Sequence, residues 1–368
     1  MSGALAAVLG GAAGAMALLG ILIGLIRYFM LRNRSIARSS DTNSSELSEQ
    51  NIELAFQGAR VFTLKELDAA TKDFSNINLI GYGMFGEVNK GFLQDGTIVA
   101  IKRRVSAPSQ EFIEEVVCYL SSIRHRNLVR LLGYCQENDL QMLVYEYVSN
   151  GSVSTHLYGG NQVSSRKLEF KHRLSIAHGA AKGMVHLHSL NPPLVHMNFK
   201  TTNVLVDEDF IPKVADAGLR RLLNRTNGAS PSSRVTTDDP FHDPEVKESG
   251  GFSLKSDVYS FGVFLMELLC GRDVRSDQRL IEWAQNYEDS IDISTVIDPR
   301  MVSSFTSEGM KEFLRLTTWC LNPSSERRPA MDYVEIELQR IREKELQLTT
   351  VMGEGTTTVT LGSQLFRA

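Results

Sequence analysis

Cysteine is scarce in this sequence: four residues, Cys118, Cys135, Cys270 and Cys320, stand far apart with no CxxC pair. That scarcity excludes a disulfide framework and a zinc site of cysteine pairs, and reads as core thiols in a reducing compartment. Net charge is also small, −4 over 368 residues, so no basic field exists to recruit nucleic acid. No internal repeat signals a solenoid. Apolar content is ordinary, 42% of residues, and suffices for one large core or two smaller ones.

One long stretch lacks charge altogether. From Gly3 to Ile26 no side chain is charged or strongly polar, a run of about 24 residues that, at about 1.5 Å each, spans a hydrocarbon core of roughly 30 Å. The run is too long for a signal-peptide core and has no basic residue before it. A membrane-spanning helix is expected within residues 1–28. Arg27, Arg32, Arg34 and Arg38 follow it, so the positive-inside rule places the rest in the cytosol, with only a stub outside. Gly10 and Gly14, like Gly20 and Gly24, have the spacing of close helix pairing, although small residues are common in membrane helices generally. The arginines fit either anionic lipid headgroups or simple topology determinants. Residues 29–60, rich in Ser, Thr, Asn, Asp and Glu, read as a disordered juxtamembrane linker.

The globular part is expected over residues 61–347. Thr63, Leu64, Leu67 and Ala70 form a short helical stripe before Phe74. The period then changes. Leu79 to Val88 carries a GxGxxGxV pattern on Gly81, Gly83 and Gly86, and after a turn at Asp95-Gly96 comes the strand Thr97 to Lys102, ending Val99-Ala100-Ile101-Lys102. A glycine loop alone is a weak signal, because a dinucleotide-binding turn shares it. Here it leads into a strand and a lysine, with no helix behind it. Glycines let such a loop fold over phosphate oxygens, and Lys102 supplies a point charge for them. A lysine among apolar neighbours needs a counter-charge, which Glu115 is placed to give, with Glu114 as the alternative.

With these motifs and those after them, the chain resembles the plant receptor-like kinase family, related to the animal interleukin-receptor-associated kinases. Further landmarks are His125 to Val129, Leu143 to Tyr147, Ser256 to Gly262, and Arg327-Arg328-Pro329, whose late Arg the family pairs with the Glu of Asp243-Pro244-Glu245. The resemblance runs from about Phe62 to Gln347. It implies an α+β, bilobal protein-kinase fold: a five-stranded, mainly antiparallel N-lobe with one helix (about 75–147) and a mainly helical C-lobe (about 148–347). A flexible tail, 348–368, is expected to follow. It further implies a nucleotide site built from Ile80, Gly81, Gly83, Gly86, Val88, Ala100, Lys102, Glu115, Tyr145 as gatekeeper, Glu146, Tyr147 and Leu205. Asn203 and Asp216 would hold metal, and ATP and Mg²⁺ are the implied cofactors.

The departures are informative. Phosphoryl transfer needs a held triphosphate, positioned metal and a carboxylate that accepts the substrate proton. Where the family has His-Arg-Asp, this chain has His196-Met197-Asn198, followed by Lys200. An amide has nearly the shape of a carboxylate but no useful basicity, and loss of a general base costs about 10²–10⁴ in rate. Met197 cannot pair with an activation-segment phosphate. Asp216-Ala217-Gly218 keeps the metal carboxylate but deletes a phenyl ring, whose space Tyr119 is expected to fill in part. Asp238 and Pro240 alter the peptide-docking segment.

The expected function is a membrane-anchored, receptor-like pseudokinase at the plasma membrane, with ATP binding retained as an open option. Its expected partners are active receptor-like kinases or other membrane signalling proteins and membrane lipids, with a helix-mediated oligomer allowed. A slow serine/threonine kinase is the alternative.

Overall fold

The computed structural model describes residues 59–158, 168–226, 239–277, 279–288, 292–301 and 304–351. The expected membrane helix, most of the linker, the hydroxyl-rich stretch before Asp239 with Asp238, and the tail beyond Val351 lie outside the described residues. Among the described residues no helix is long and apolar enough to cross a membrane.

The smaller lobe is a sheet of six strands, in the order β1-β5-β6-β4-β3-β2. These are β1 (Arg60–Val61), β2 (Leu79–Gly83), β3 (Gly86–Phe92), β4 (Ile98–Val105), β5 (Leu131–Glu137) and β6 (Leu140–Glu146). A five-stranded, mainly antiparallel sheet was expected; the sixth strand, β1, joins the edge parallel to β5, with Arg60 opposite Gly133. The approach is so close that a Cβ on Gly133 would stand 2.0 Å from the Arg60 carbonyl oxygen. The expected helical stripe forms α1 (Leu64–Thr71), capped by Thr63, whose Oγ1 accepts the Glu66 amide at 3.2 Å. Leu67 and Ala70 of α1 close a core with Phe62, Val99, Ile101, Met142 and Val144 on the outer face of the sheet.

A continuous helix was expected around Phe112 to Val116. It is broken instead. A short α2 (Gln110–Glu114) passes into a π-helical turn over Glu115–Tyr119 and then a 3₁₀ turn over Leu120–Ser122. The wide π-helical turn changes the face that a residue presents, and Glu115 within it meets Arg221 and Arg225 of the other lobe.

The larger lobe contains α3 (Val153–Tyr158), α4 (Phe170–His188), the ribbon β7 (Val204–Val206) and β8 (Pro212–Val214), α5 (Leu219–Thr226), α6 (Pro244–Ser249), α7 (Leu254–Cys270), α8 (Arg279–Gln285), α9 (Ser307–Cys320) and α10 (Met331–Val351). The last helix runs past the Gln347 boundary expected for the domain. α7 is the apolar centre of the lobe, buried from Val258 to Cys270 apart from Ser260, and it starts with a capping box on Ser253 and Ser256. The late arginine finds a different partner from the expected one. Arg328 bonds both oxygens of Asp243, while Oε1 of Glu245 accepts the Ser325 amide at 2.8 Å. Asp243 is 2% exposed, so a guanidinium fork is the partner that satisfies it in that depth.

Candidate functional site

Between the lobes lies a cavity of about 440 Å³, lined among others by Ile80, Gly81, Gly83, Val88, Ala100, Lys102, Val129, Tyr145, Glu146, Tyr147, Leu205, Asn203 and Asp216. Strand alternation places Val88, Ala100 and Lys102 on the cavity side, and Val88 pairs directly with Lys102 across β3 and β4. Gly81 and Gly83 have nothing within 4 Å of an added Cβ, so the roof stays open. Gly86 does another job: at φ 141° it turns the chain into β3, where a Cβ would meet the Arg103 carbonyl oxygen at 2.1 Å. Neither it nor Glu115 lines the cavity.

Tyr145 stands at the back, 6% exposed, and its hydroxyl has no hydrogen-bond partner among the described residues. Burial, with the Asp216 charge nearby, pushes its phenol pKa up, so the group is a neutral donor without an acceptor. Glu146 is held by Lys213 Nζ at 3.0 Å and the Arg130 amide at 2.9 Å. Lys90 Nζ sits 4.5 Å over the ring of Tyr147.

The charged groups are paired differently from the expectation. Lys102 bonds Asp216, the carboxylate expected to hold metal. Glu115, fully buried, faces Arg221 Nε at 2.9 Å and Arg225 NH1 at 2.7 Å. Glu114 does not replace it: half-exposed, it lies 3.9 Å from Arg225. The reason is local geometry. Arg221 and Arg225 are one helical turn apart on α5, immediately after Asp216-Ala217-Gly218, and present two guanidinium groups to the π-helical turn. Arg225 donates to Oε2 of this buried carboxylate, while Oε1 has no hydrogen-bond partner among the described residues and is offset by the Arg221 charge alone. Tyr119, expected to fill part of the space beside Ala217, is 38% exposed with Arg221 over its ring at 3.9 Å, whereas Leu120, Ile123 and Leu194 crowd Gly218.

Below the cavity the loop around Asn198 is fixed from α7. Asp257 accepts the His196 amide at 2.7 Å, the Met197 amide at 3.0 Å and His188 Nε2 at 2.9 Å. Met197 takes the left-handed conformation, φ 62°. His196 is fully buried; its Nε2 donates to the Ala215 carbonyl at 2.9 Å and its Nδ1 accepts the Asn198 amide at 3.3 Å, so the ring is neutral, and burial lowers its pKa. The Asn198 carbonyl accepts Asn203 Nδ2 at 2.9 Å, and Asn198 Nδ2 lies 3.9 Å from the Met84 sulfur. The Lys200 carbonyl accepts the Asn203 amide at 2.8 Å, and burial lowers the pKa of its side chain. The structure therefore brings Lys102, Asn198, Lys200, Asn203 and Asp216 to one cleft. Sequence reasoning missed Arg220, Arg221, Arg225 and the anchoring role of Asp257. The arginine spacing after Gly218 was the available signal.

Two lobes closing on a glycine-roofed cleft, with a lysine in the sheet and an aspartate below it, define the protein kinase class. The chain belongs to the protein tyrosine and serine/threonine kinase family, whose model matches residues 74–338. It is similar to two Arabidopsis thaliana proteins, the probable serine/threonine-protein kinases PBL21 and PBL28. They are 37% identical over 293 residues and 39% identical over 302, covering 77% of this chain and 76% and 79% of theirs. Among solved structures it is similar to the pseudokinase domain of BIR2, an immune regulator of the RLK/Pelle family. That likeness has a TM-score of 0.65 at 30% identity, covering 76% of this chain and 86% of the other.

Proposed function

We propose that this protein is a receptor-like pseudokinase: a membrane-anchored signalling module that engages active receptor-like kinases and transfers no phosphoryl group itself. The observation that carries the reading is the neutral Asn198 at the position of the general base. The pairing around it has the same sense, since Lys102 and Asp216 neutralise each other and Glu115 is held by α5. The likeness to the BIR2 pseudokinase domain supports it. The anchor rests on the apolar run from Gly3 to Ile26, which is the basis for placing the protein in the plasma membrane with its kinase-like domain in the cytosol.

The cavity residues fit a nucleotide. Its apolar walls, its open glycine roof and the orphaned Tyr145 hydroxyl suit a purine and its phosphates. Lys102 would hold phosphate oxygens, and Asn203 with Asp216 would hold Mg²⁺. When bound, the metal neutralises phosphate charge. Lys102 bonds only Oδ1 of Asp216, so a cation would meet this carboxylate in competition with the lysine.

The names of PBL21 and PBL28 favour a second reading, a slow serine/threonine kinase. Radiolabelled transfer by the full-length chain, run beside a thermal-shift series in ATP, separates the two. The expected result is no transfer, a rise in melting temperature with ATP, and loss of that rise in Lys102→Met. Asn198→Asp alone is expected to leave transfer undetectable, because Asp216 and Glu115 stay misdirected and residues that act as a unit are non-additive. Robust transfer by the wild type would sink the pseudokinase reading, whereas robust transfer by Asn198→Asp alone would mean that the cleft is kept in a near-active shape with only its base removed.

A further inference from the structure

A second cavity, of about 340 Å³, lies in the larger lobe away from the cleft, where the end of α4 meets the first turns of α7 and α10. Val185, Leu254, Val258 and Met331 give it apolar walls. Lys255 and Asp332 line it too, so one apolar hollow borders both an ammonium and a carboxylate. The two do not pair with each other. Lys255 Nζ donates to the Arg328 carbonyl, and Asp332 Oδ1 accepts the Tyr333 amide at 2.8 Å. Among the described residues neither side chain has an ion pair of any kind.

Each pole has capacity left. An ammonium offers three donors and a carboxylate about four lone-pair sites, and the bonds above use one of each. A guest with a single charge would satisfy one pole and leave the other against its apolar body, which costs free energy. A zwitterion satisfies both. The volume is at the lower end for ligand pockets, roughly 300–1,000 Å³, and at roughly 30 Å³ for each water-sized group it holds about eleven non-hydrogen atoms. We propose that this cavity binds a free α-amino acid with an aliphatic or aromatic side chain. Its carboxylate lies on Lys255, its ammonium on Asp332 and its side chain against Val258 and Met331.

The position of the site links it to the cleft. His188 forms part of the wall, and its Nε2 donates to Asp257 Oδ2 at 2.9 Å. That oxygen also accepts the His196 amide at 2.7 Å, and Oδ1 of the same carboxylate accepts the Met197 amide at 3.0 Å. A guest that moves the His188 ring therefore acts on the anchor of the loop that carries Asn198. The site is independent of the pseudokinase reading, because nothing in it depends on whether the cleft transfers phosphate.

The test follows methionine amide resonances of the full-length chain, in which Met331 reports the cavity and Met197 reports the loop. The probe is L-phenylalanine, beside phenylacetate and phenethylamine, each of which lacks one of its charges. Phenylalanine is expected to move the Met331 resonance along a saturable curve, and both analogues should bind about tenfold more weakly, the scale of a lost charge-assisted hydrogen bond. Lys255→Met should bring phenylalanine down to the affinity of phenethylamine, and Asp332→Asn should bring it down to that of phenylacetate. Met197 should shift over the same concentrations. A still Met197 beside a moving Met331 would strike the link to the loop. No saturable shift of Met331, or either analogue binding as tightly as phenylalanine, overturns the site. Melting temperatures of the two variants separate lost binding from lost folding, and the analogue comparison on the unsubstituted chain decides the matter even if a variant fails to fold.

Discussion

In the larger lobe Arg328 lies against Asp243 with both NH groups on the two carboxylate oxygens, and its remaining donors reach the carbonyls of Asn322, Pro323 and Lys255. In the cleft Lys102 meets Asp216, while Glu115 turns to Arg221 and the partly exposed Arg225. Both regions bury charge, but only the first saturates it. Every donor of Arg328 has one fitting acceptor, so that pair has no alternative arrangement of similar energy. The cleft pairs are less complete, because Lys102 meets only Oδ1 of Asp216 and Oε1 of Glu115 has no hydrogen-bond partner among the described residues. Saturated pairs hold a fold; incomplete pairs hold a state.

The largest effect should come from breaking the saturated pair. Arg328→Ala is expected to destabilise the domain by about 3–5 kcal/mol, since it strands a buried carboxylate. Denaturant melts check this, and a loss below about 1 kcal/mol would mean that the lobe re-pairs Asp243 and that the contrast is wrong.

A smaller effect is expected from the incomplete pairs. In the double variant Arg221→Ala with Arg225→Ala, Glu115 loses both partners and becomes free to compete for Lys102, which releases Asp216. ATP affinity in Mg²⁺ should rise about tenfold, a typical coupling between linked sites. Calorimetric titration measures it. Unchanged or weaker binding would show that α5 is packing only and leaves the nucleotide indifferent.

The smallest effect compares a histidine from each region. Burial lowers the pKa of His178, which bonds Glu335 in the larger lobe at 2.8 Å, and of His196 below the cleft. Above the unfolded value of about 6.5 both states are neutral and stability is complete. As pH falls below it, the unfolded chain takes up protons that the native rings refuse, and stability falls by at most about 1.4 kcal/mol per pH unit for each ring. Urea midpoints at a series of pH values, repeated with His196→Gln, should show the slope shrink in the variant. A midpoint that holds steady between neutral and mildly acidic pH would mean that both rings accept protons in the native state.

Much of this was legible in the chain itself. The glycine loop, the strand ending at Lys102, the His196 to Asn203 segment and the Asp216 triplet announce their positions by order and spacing, because each needs a fixed backbone shape that few residues permit. The apolar run of α7 and the short stripe of α1 were legible for the same local reason, a period that survives whatever packs on it. The identity of residue 198, an asparagine, was read directly from the chain, and the proposed absence of a base rests on it. Pairing was not legible. Lys102 chose Asp216, Arg328 chose Asp243, and β1 joined the sheet beside Gly133, in each case across long stretches of sequence. The π-helical turn that aims Glu115 at α5 leaves no periodic mark. Spacing along a chain determines which groups are available, but the partner of a buried charge is set by which opposite charge the packed lobes bring within about 3–4 Å, and only the tertiary structure decides that.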